Sequence, residues 1–214
     1  MKNMIFLAVF AVTYSWPNSS FKQRIIIVEA ESFAGQEKSE VRQWTIEEDS
    51  AASGGAYIHI VPDTRVTDKD SLVNGVNFSN LPGKMAVISY PVRISKPGRY
   101  YVWVRAFSSG AEDNSVHVGL NGTWPASGAR MQWCEGKNAW KWGSKQRTQK
   151  NHCGEPYLIY LDVAKPGKHI VQFSMREDGF RMDQFLLSLD KAFDPEKSGP
   201  NAPLLPKRTK HLRY

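Results

Sequence analysis

Three carboxylates in this chain of 214 residues lie on the apolar faces of strand-like segments. Alternate residues of a strand share a face, so Glu29 and Glu31 continue the apolar stripe that begins at Ile25 and Ile27. Asp183 leads a second apolar stripe near the other end of the chain. A buried carboxylate needs a partner, and Ca²⁺ takes roughly six to eight oxygen ligands from carboxylates and carbonyls. The pattern predicts a structural calcium site, with exposed or ion-paired carboxylates as the alternative.

Aromatic and basic side chains alternate in the polar stretch 121–156, where Trp140, Lys141 and Trp142 are consecutive. Sugar rings stack their C–H faces on indoles, and polar side chains hydrogen-bond the hydroxyl groups. In segment 101–107, Arg105 shares a face with aromatic residues, opposite a face that suits the core. For the tryptophans the alternative is a small core beneath the stretch, and for Arg105 an ordinary ion pair. The predicted carbohydrate contacts are Arg105, Asn114, Trp140, Lys141, Trp142, Arg176 and Asp178.

The net charge of +7 is concentrated in two stretches of the chain. Residues 130–150 contain six basic residues and one acidic residue, and residues 191–214 contain six basic and two acidic residues. No helix-turn-helix, RRM, KH or zinc-finger pattern accompanies this charge, so nucleic acid is not the expected partner. The basic stretch favours an anionic partner such as a sulfated or uronic polysaccharide, although a solvated surface would carry the same charges.

Two cysteines, Cys134 and Cys153, fall within the same polar stretch. In an exported protein such a pair usually forms a disulfide, here closing a loop of about 20 residues, with two free thiols as the alternative. A zinc site is less favoured, because His152 is the only metal-binding residue type beside either cysteine.

The first 20 residues predict a signal peptide. The apolar run 4–13 has the length of a signal-peptide core and is too short to span a bilayer, although residues 14–17 lack the usual small-residue cleavage pattern. We therefore expect a secreted, periplasmic or cell-surface protein without a membrane span. Residues 24–190 are predicted to form one domain with a long insert at 121–156, and residues 191–214 a proline-rich basic tail or linker.

Short strand-like runs are expected to position the candidate calcium ligands and carbohydrate contacts. About nine such runs are separated by turn dipeptides such as Pro97-Gly98 and Asn121-Gly122, and no long segment with a helical period competes with them. His59 and His117 alternate with apolar residues and are expected to face solvent. The pattern predicts an all-β, antiparallel sandwich or barrel. The runs are 25–31, 42–47, 56–60, 85–94, 100–107, 115–120, 157–163, 169–175 and 182–189.

Five motifs follow one another along the chain: VEAESF at 28–33, ASGGAY at 52–57, PGRYYVWVR at 97–105, NS at 114–115 and REDGFRMDQF at 176–185. In this order they resemble carbohydrate-binding modules of families six and thirty-five, and more closely the C-terminal domain of family one hundred and fifteen glycoside hydrolases. The resemblance implies a galactose-binding-like jelly-roll β-sandwich and a structural calcium ion held by Glu29, Glu31 and Asp183. It also implies sugar sites in the loops at one end of the sandwich or on its concave face. The long insert departs from the compact modules.

The function expected from these patterns is binding of a polysaccharide or oligosaccharide by a monomer, with no catalytic residues. The chain would then be a lectin-like protein or an accessory module of a glycoside hydrolase or polysaccharide lyase. A small polysaccharide-degrading enzyme on the same fold is one alternative, but it would need an acid–base pair in a cleft, for which no motif is present. A structural or adhesive protein of the cell envelope is the other alternative.

Overall fold

The computed structural model describes residues 25–198, which contain fourteen β-strands, three 3-10 turns and one short α-helix. The predicted signal peptide at 1–20 lies outside these residues. The strands are β1 (Ile26–Glu29), β2 (Gly35–Glu37), β3 (Gln43–Glu48), β4 (Ala56–Val61), β5 (Val87–Ile94), β6 (Gly98–Phe107), β7 (Ser115–Leu120), β8 (Met131–Gln132), β9 (Trp140–Gly143), β10 (Lys145–Gln146), β11 (Glu155–Pro156), β12 (Tyr160–Val163), β13 (Gly167–Met175) and β14 (Arg181–Ser188), and the short α-helix is α1 (Pro195–Ser198).

The strands form two antiparallel sheets of seven strands each. The first sheet has the order β12-β6-β14-β4-β3, with β1 also paired to β14 and β9 also paired to β6. The second has the order β11-β10-β8-β7-β13-β5-β2. The apolar faces of both sheets contribute to one buried cluster, so the sheets pack as a sandwich. This confirms the predicted all-β jelly-roll architecture.

The alternation of β6 shows how the sequence builds this core. Tyr100, Val102, Val104 and Ala106 point inward and are at most 3% exposed, whereas the residues between them are half-buried on the outer face. Burying a Val side chain stabilises a fold by roughly 1.5 to 3 kcal/mol, and a one-residue slip in pairing would turn this whole set toward solvent. The hydrophobic pattern therefore fixes which face of β6 remains available for binding.

The described chain has five more strands than the nine expected. One is the short edge strand β2, and the other four are β8 to β11, which lie in the predicted insert. The insert is divided between the sheets, since β9 pairs with β6 in the first sheet while β8, β10 and β11 extend the second. These strands contain two to four residues each, which is too few to show an alternating pattern in sequence.

A disulfide between Cys134 and Cys153 closes the insert, with a Cα–Cα distance of 5.4 Å. The bond confirms the predicted pairing and leaves no free cysteine in the described residues. Because Cys134 follows β8 and Cys153 precedes β11, the disulfide links the segment after β8 to the C-terminal end of the insert.

The prediction that His59 and His117 face solvent is wrong, since both are buried. The ring of His117 donates its Nε2–H to the carbonyl oxygen of Ser79 at 3.1 Å and accepts the backbone N–H of Arg130 on Nδ1 at 3.0 Å. Burial lowers the pKa of His117 to about 4. A strand pattern shows which face a residue is on, but not that a loop covers that face.

Candidate functional site

An open cleft of about 550 Å³ lies between the insert and the stretch 192–197. Its floor and walls come from β6, β9, β10, the disulfide loop and the residues after β11. Five aromatic residues line it: Trp103, Trp133, Trp142, Tyr157 and Phe193, of which Trp133 also belongs to the buried core. The volume falls within the range of roughly 300 to 1,000 Å³ that is usual for ligand sites.

Strand pairing places the two tryptophans of the cleft. Trp142 on β9 lies opposite Arg105 on β6, and Trp103 is two residues from Arg105 on the same strand face. Diagonal neighbours on paired strands lie about 7 to 8 Å apart, within reach of large side chains. The two indoles therefore belong to one continuous surface, which neither strand would form alone.

Tyr157 forms part of the rim of the cleft. It follows β11 directly, has a positive φ of 66° and leaves 46% of its surface exposed. The ammonium group of Lys191 lies 5.2 Å from the centre of its ring. Positive φ is rare for a bulky residue and concentrates at functional positions. An exposed aromatic ring held in this conformation is therefore available to a ligand in the cleft.

Charged side chains in the cleft are balanced in number, with three lysines and three carboxylates: Lys141, Lys145, Lys197, Glu135, Asp194 and Glu196. The Nζ of Lys145 lies 3.0 Å from Glu135 Oε1, and that of Lys197 lies 3.1 Å from Asp194 Oδ2. Glu196 Oε1 accepts the backbone N–H of Trp142 at 3.0 Å. Lys141 forms no ion pair among the described residues. The stretch after residue 190 therefore supplies one wall of the cleft.

Trp140 and Arg105 lie beside the cleft rather than in it. Trp140 packs edge-on against Tyr57 and Phe107, with ring centres 5.2 and 5.6 Å away, and donates its indole N–H to Asp49 Oδ2 at 2.9 Å. Arg105 forms an ion pair with Asp183, and its guanidinium carbon lies 5.7 Å from the Trp140 ring centre. Of the predicted contacts on β6 and in the insert, the structure thus brings Lys141 and Trp142 together in the cleft and engages Trp140 and Arg105 in protein contacts.

Three of the predicted sugar contacts, Asn114, Arg176 and Asp178, are buried and at most 2% exposed. Asn114 Oδ1 accepts from the side-chain amide of Gln132 at 2.8 Å. The guanidinium of Arg176 pairs with Glu177 at 2.9 Å. These groups lie beneath the surface, where their hydrogen bonds are made within the protein.

Asp178 holds the long loop 62–84 onto the end of the sandwich. Its Oδ2 accepts the Arg42 guanidinium at 2.7 Å and both the N–H and the hydroxyl of Thr64, at 2.9 and 2.7 Å. Farther along the loop, the ring of Phe78 packs 4.8 Å from the guanidinium of Arg176. The loop therefore covers Arg176 and Asp178, which the sequence predicts to be carbohydrate contacts.

The three predicted calcium ligands converge around the turn Ser53–Gly55. The Ser53 hydroxyl donates to Glu29 Oε1 at 3.0 Å, and the Ser53 N–H donates to Asp183 Oδ1 at 2.9 Å. Glu31 Oε1 approaches Gly54, where an added Cβ would be 3.3 Å from it. Residues from β1, β14 and the turn between β3 and β4 thus meet at one point.

Two carboxylate oxygens at this point, Glu29 Oε2 and Glu31 Oε2, are buried and have no hydrogen-bond partner among residues 25–198. Burial raises the pKa of Glu31 to about 7, and the neighbouring carboxylates of Glu29 and Asp183 add to the rise. Burial also raises the pKa of Asp183 to about 6, against the lowering effect of the Arg105 guanidinium. Across the described chain, no three His, Cys, Asp or Glu side chains are already gathered as a metal-binding group.

Two antiparallel sheets packed as a sandwich, with an aromatic-lined cleft on the surface, define the class of protein as an all-β sandwich domain. The family model of the glycosyl hydrolase family 115 C-terminal domain matches residues 22–202. The chain belongs to this family, which confirms the resemblance seen in its motifs.

A curated relative, the uncharacterized protein P23 of Formosa agariphila, is 53% identical over 198 residues. The match covers 86% of this chain and 48% of the relative, so the chain spans about half of that protein's length.

Solved structures similar to the chain include a family 35 carbohydrate-binding module from Clostridium thermocellum, with 13% identity, a TM-score of 0.44 and coverage of 77% of this chain and 97% of the other. The C-terminal family 6 module of a marine laminarinase from Zobellia galactanivorans has 15% identity, a TM-score of 0.44 and coverage of 77% and 99%. Family membership follows from the family match, not from these structures.

Proposed function

We propose that this chain is a non-catalytic carbohydrate-binding module and that the cleft between the insert and residues 192–197 is its binding site. The observation that carries the proposal is the grouping of Trp103, Trp142 and Tyr157 in one open cleft. Aromatic faces stack on the C–H faces of sugar rings, and the lysines and carboxylates beside them can hydrogen-bond hydroxyl groups.

The family match supports a role as an accessory module. The family is named for a C-terminal domain of glycosyl hydrolases, and the curated relative is about twice as long as the matched region. A binding module joined to a second domain raises the effective concentration of that domain at the polysaccharide. We propose this role in preference to catalysis or to a purely structural function in the cell envelope.

Affinity electrophoresis of the purified protein in gels that contain single polysaccharides tests the binding site. We expect at least one glycan to retard the protein and Trp142→Ala to abolish the retardation. Trp140→Ala is the matched control, because it makes the same change two residues away on β9, outside the cleft. Thermal unfolding shows whether each variant is folded.

Retardation that Trp140→Ala abolishes and Trp142→Ala leaves unchanged would move the site from the cleft to the neighbouring face of the first sheet. No retardation by any glycan, with an intact fold, would support the structural alternative. Release of reducing sugar from a retarding glycan would show that the chain is an enzyme.

We also propose that Glu29, Glu31 and Asp183 hold a structural calcium ion. The buried oxygens Glu29 Oε2 and Glu31 Oε2 fit this ion, because a hard cation would satisfy both and compensate the repulsion among the three carboxylates. The ion would supply electrostatic cross-linking of strands and no chemistry on a ligand.

Export from the cytoplasm is the localisation that we propose, to the exterior, the periplasm or the cell surface. The Cys134–Cys153 disulfide supports it, because such bonds persist in oxidising compartments. Within residues 25–198, no helix is long and apolar enough to cross a membrane.

A further inference from the structure

The side chains that line the cleft are balanced in charge, whereas the stretch 130–150, which forms much of the cleft, is strongly basic. Residues 130–150 contain six basic residues, but in the described structure Lys141 and Lys145 are the two that line the cleft. Lys137 turns instead into the loop after β6, where its ammonium donates to the Ser108 hydroxyl at 2.5 Å. Arg130 donates to Asn80 Oδ1 at 3.1 Å, away from the cleft.

Acidic residues from two separate segments meet the lysines that do reach the cleft. Glu135 lies in the disulfide loop, and Asp194 and Glu196 lie in the stretch after β14. Lys145 is paired with Glu135, and Lys197 is paired with Asp194. An anionic sugar would therefore meet two lysines that already have a carboxylate partner and one, Lys141, that has no ion pair in the described structure, together with three carboxylates that repel it.

A hydroxyl group suits this lining better than an anion. Each hydroxyl both donates and accepts a hydrogen bond, so it can bridge a lysine ammonium and a carboxylate without disturbing their charge balance. Glu196 is well placed for this role, because its Oε1 accepts the backbone N–H of Trp142 while the side chain stays exposed at the stacking surface.

We propose that the cleft binds an uncharged, hydroxyl-rich glycan and that Glu196 is a specificity-determining residue for it. This inference rests on the proposed function and names its ligand class. The basic stretch 130–150 then serves mainly to build the insert and to pair with carboxylates, rather than to attract an acidic polysaccharide.

The test compares neutral and acidic glycans in affinity gels at low and high salt. The neutral gels contain laminarin, galactan, mannan or xylan, and the acidic gels contain polygalacturonate or carrageenan. We expect the strongest retardation in a neutral gel, with the dissociation constant changing less than about twofold between 20 and 500 mM NaCl, because charge-driven binding is the kind that salt screens.

Glu196→Gln keeps the size of the side chain and an oxygen that can accept the Trp142 N–H. We expect this change to weaken neutral binding at least about fivefold, by removing a charged acceptor from the cleft. Glu37→Gln, the same change on the exposed strand β2 of the other sheet, should leave binding unchanged. Unchanged binding by Glu196→Gln would overturn the role of Glu196.

Strongest retardation by an acidic glycan, weakened tenfold or more by salt and lost in Trp142→Ala, would overturn the neutral-ligand inference and leave the binding module standing. Absence of retardation in every gel would instead overturn the proposed function, and the inference with it.

Discussion

At the scale of single residues, the environment decides what each side chain does. Trp140 and Trp142 are two residues apart on β9, yet Trp142 lines the cleft and Trp140 is wedged between Tyr57 and Phe107. A similar contrast separates the charged residues, since Lys141 remains without an ion pair in the described structure while Arg105 is bound to Asp183. Residue type therefore identifies candidate sugar contacts, and the contacts with neighbouring residues decide which of these candidates remain accessible to a ligand.

His117 allows a prediction of how stability depends on pH. Burial lowers its pKa from an ordinary value of 6.5 to about 4 in the folded protein. As the pH falls below 6.5, the unfolded chain takes up the proton first, so stability is lost between pH 6.5 and pH 4. We expect this residue alone to reduce the free energy of unfolding by about 2 kcal/mol between pH 7 and pH 5.

Urea unfolding of the wild type and of His117→Gln at both pH values measures this effect. Other titrating groups are common to the two proteins, so the difference between their pH dependences isolates His117. Parallel pH dependences of the two proteins would contradict the buried, neutral imidazole.

At the scale of elements, segments far apart in sequence contact each other at two places. The insert and the stretch 192–197 meet at the cleft, where the backbone of Trp142 donates to Glu196. Strand β1 is paired along its whole length with β14, and carboxylates of the two strands meet at the turn Ser53–Gly55. Both places involve buried or paired charge, so both depend on charge compensation.

Calcium is predicted to stabilise the contact between β1 and β14 and therefore the fold. At a calcium concentration about 100-fold above the dissociation constant, binding adds about 2.7 kcal/mol to the free energy of unfolding. For a domain of this size the melting temperature should rise by about 5 to 10 °C relative to the protein in EDTA. Differential scanning calorimetry with calcium or EDTA measures the shift.

Glu31→Gln supplies the sharper comparison. Without calcium it should be at least as stable as the wild type, because burial disfavours the Glu31 carboxylate and raises its pKa to about 7. Addition of calcium should raise the melting temperature of this variant only slightly. Equal responses of the wild type and the variant to calcium would rule out this site.

At the scale of the whole molecule, the loop 62–84 closes one end of the sandwich over a buried charge network. The Arg42–Asp178 ion pair at its base is fully enclosed, with side-chain exposures of 3% and 0%. The cleft lies elsewhere, on the surface formed by β6, β9 and the residues 192–197. The structural support at the end of the sandwich and the proposed binding site therefore lie in different parts of the molecule.

Asp178→Asn separates these two roles. The change leaves the buried Arg42 guanidinium without its counter-charge, and breaking such a pair costs about 3 to 5 kcal/mol. We expect a loss of stability of this size in denaturant unfolding, with glycan affinity unchanged under conditions where the variant is folded. Normal stability combined with lost affinity would restore Asp178 as a sugar contact.

Much of the fold is encoded locally in the sequence. The alternation at Tyr100, Val102, Val104 and Ala106 identified the buried face of β6, because strand periodicity depends only on neighbouring residues. The cysteine pair and the carboxylates at 29, 31 and 183 could also be identified from the sequence. Two nearby cysteines favour a disulfide, and carboxylates on an apolar face need a cation or a hydrogen-bond donor.

Which residues form the proposed binding cleft, and which charged groups line it, was decided by the tertiary structure alone. Trp142 and Glu196 are 54 positions apart, and no local pattern shows that they meet. His117 and Asp178 are covered by a loop whose path depends on distant partners. The strands of the insert are too short for their own periodicity and form by pairing with existing edges. The sequence by itself thus determined the sandwich and the residues able to bind a sugar, whereas packing between distant segments determined which of them remain exposed.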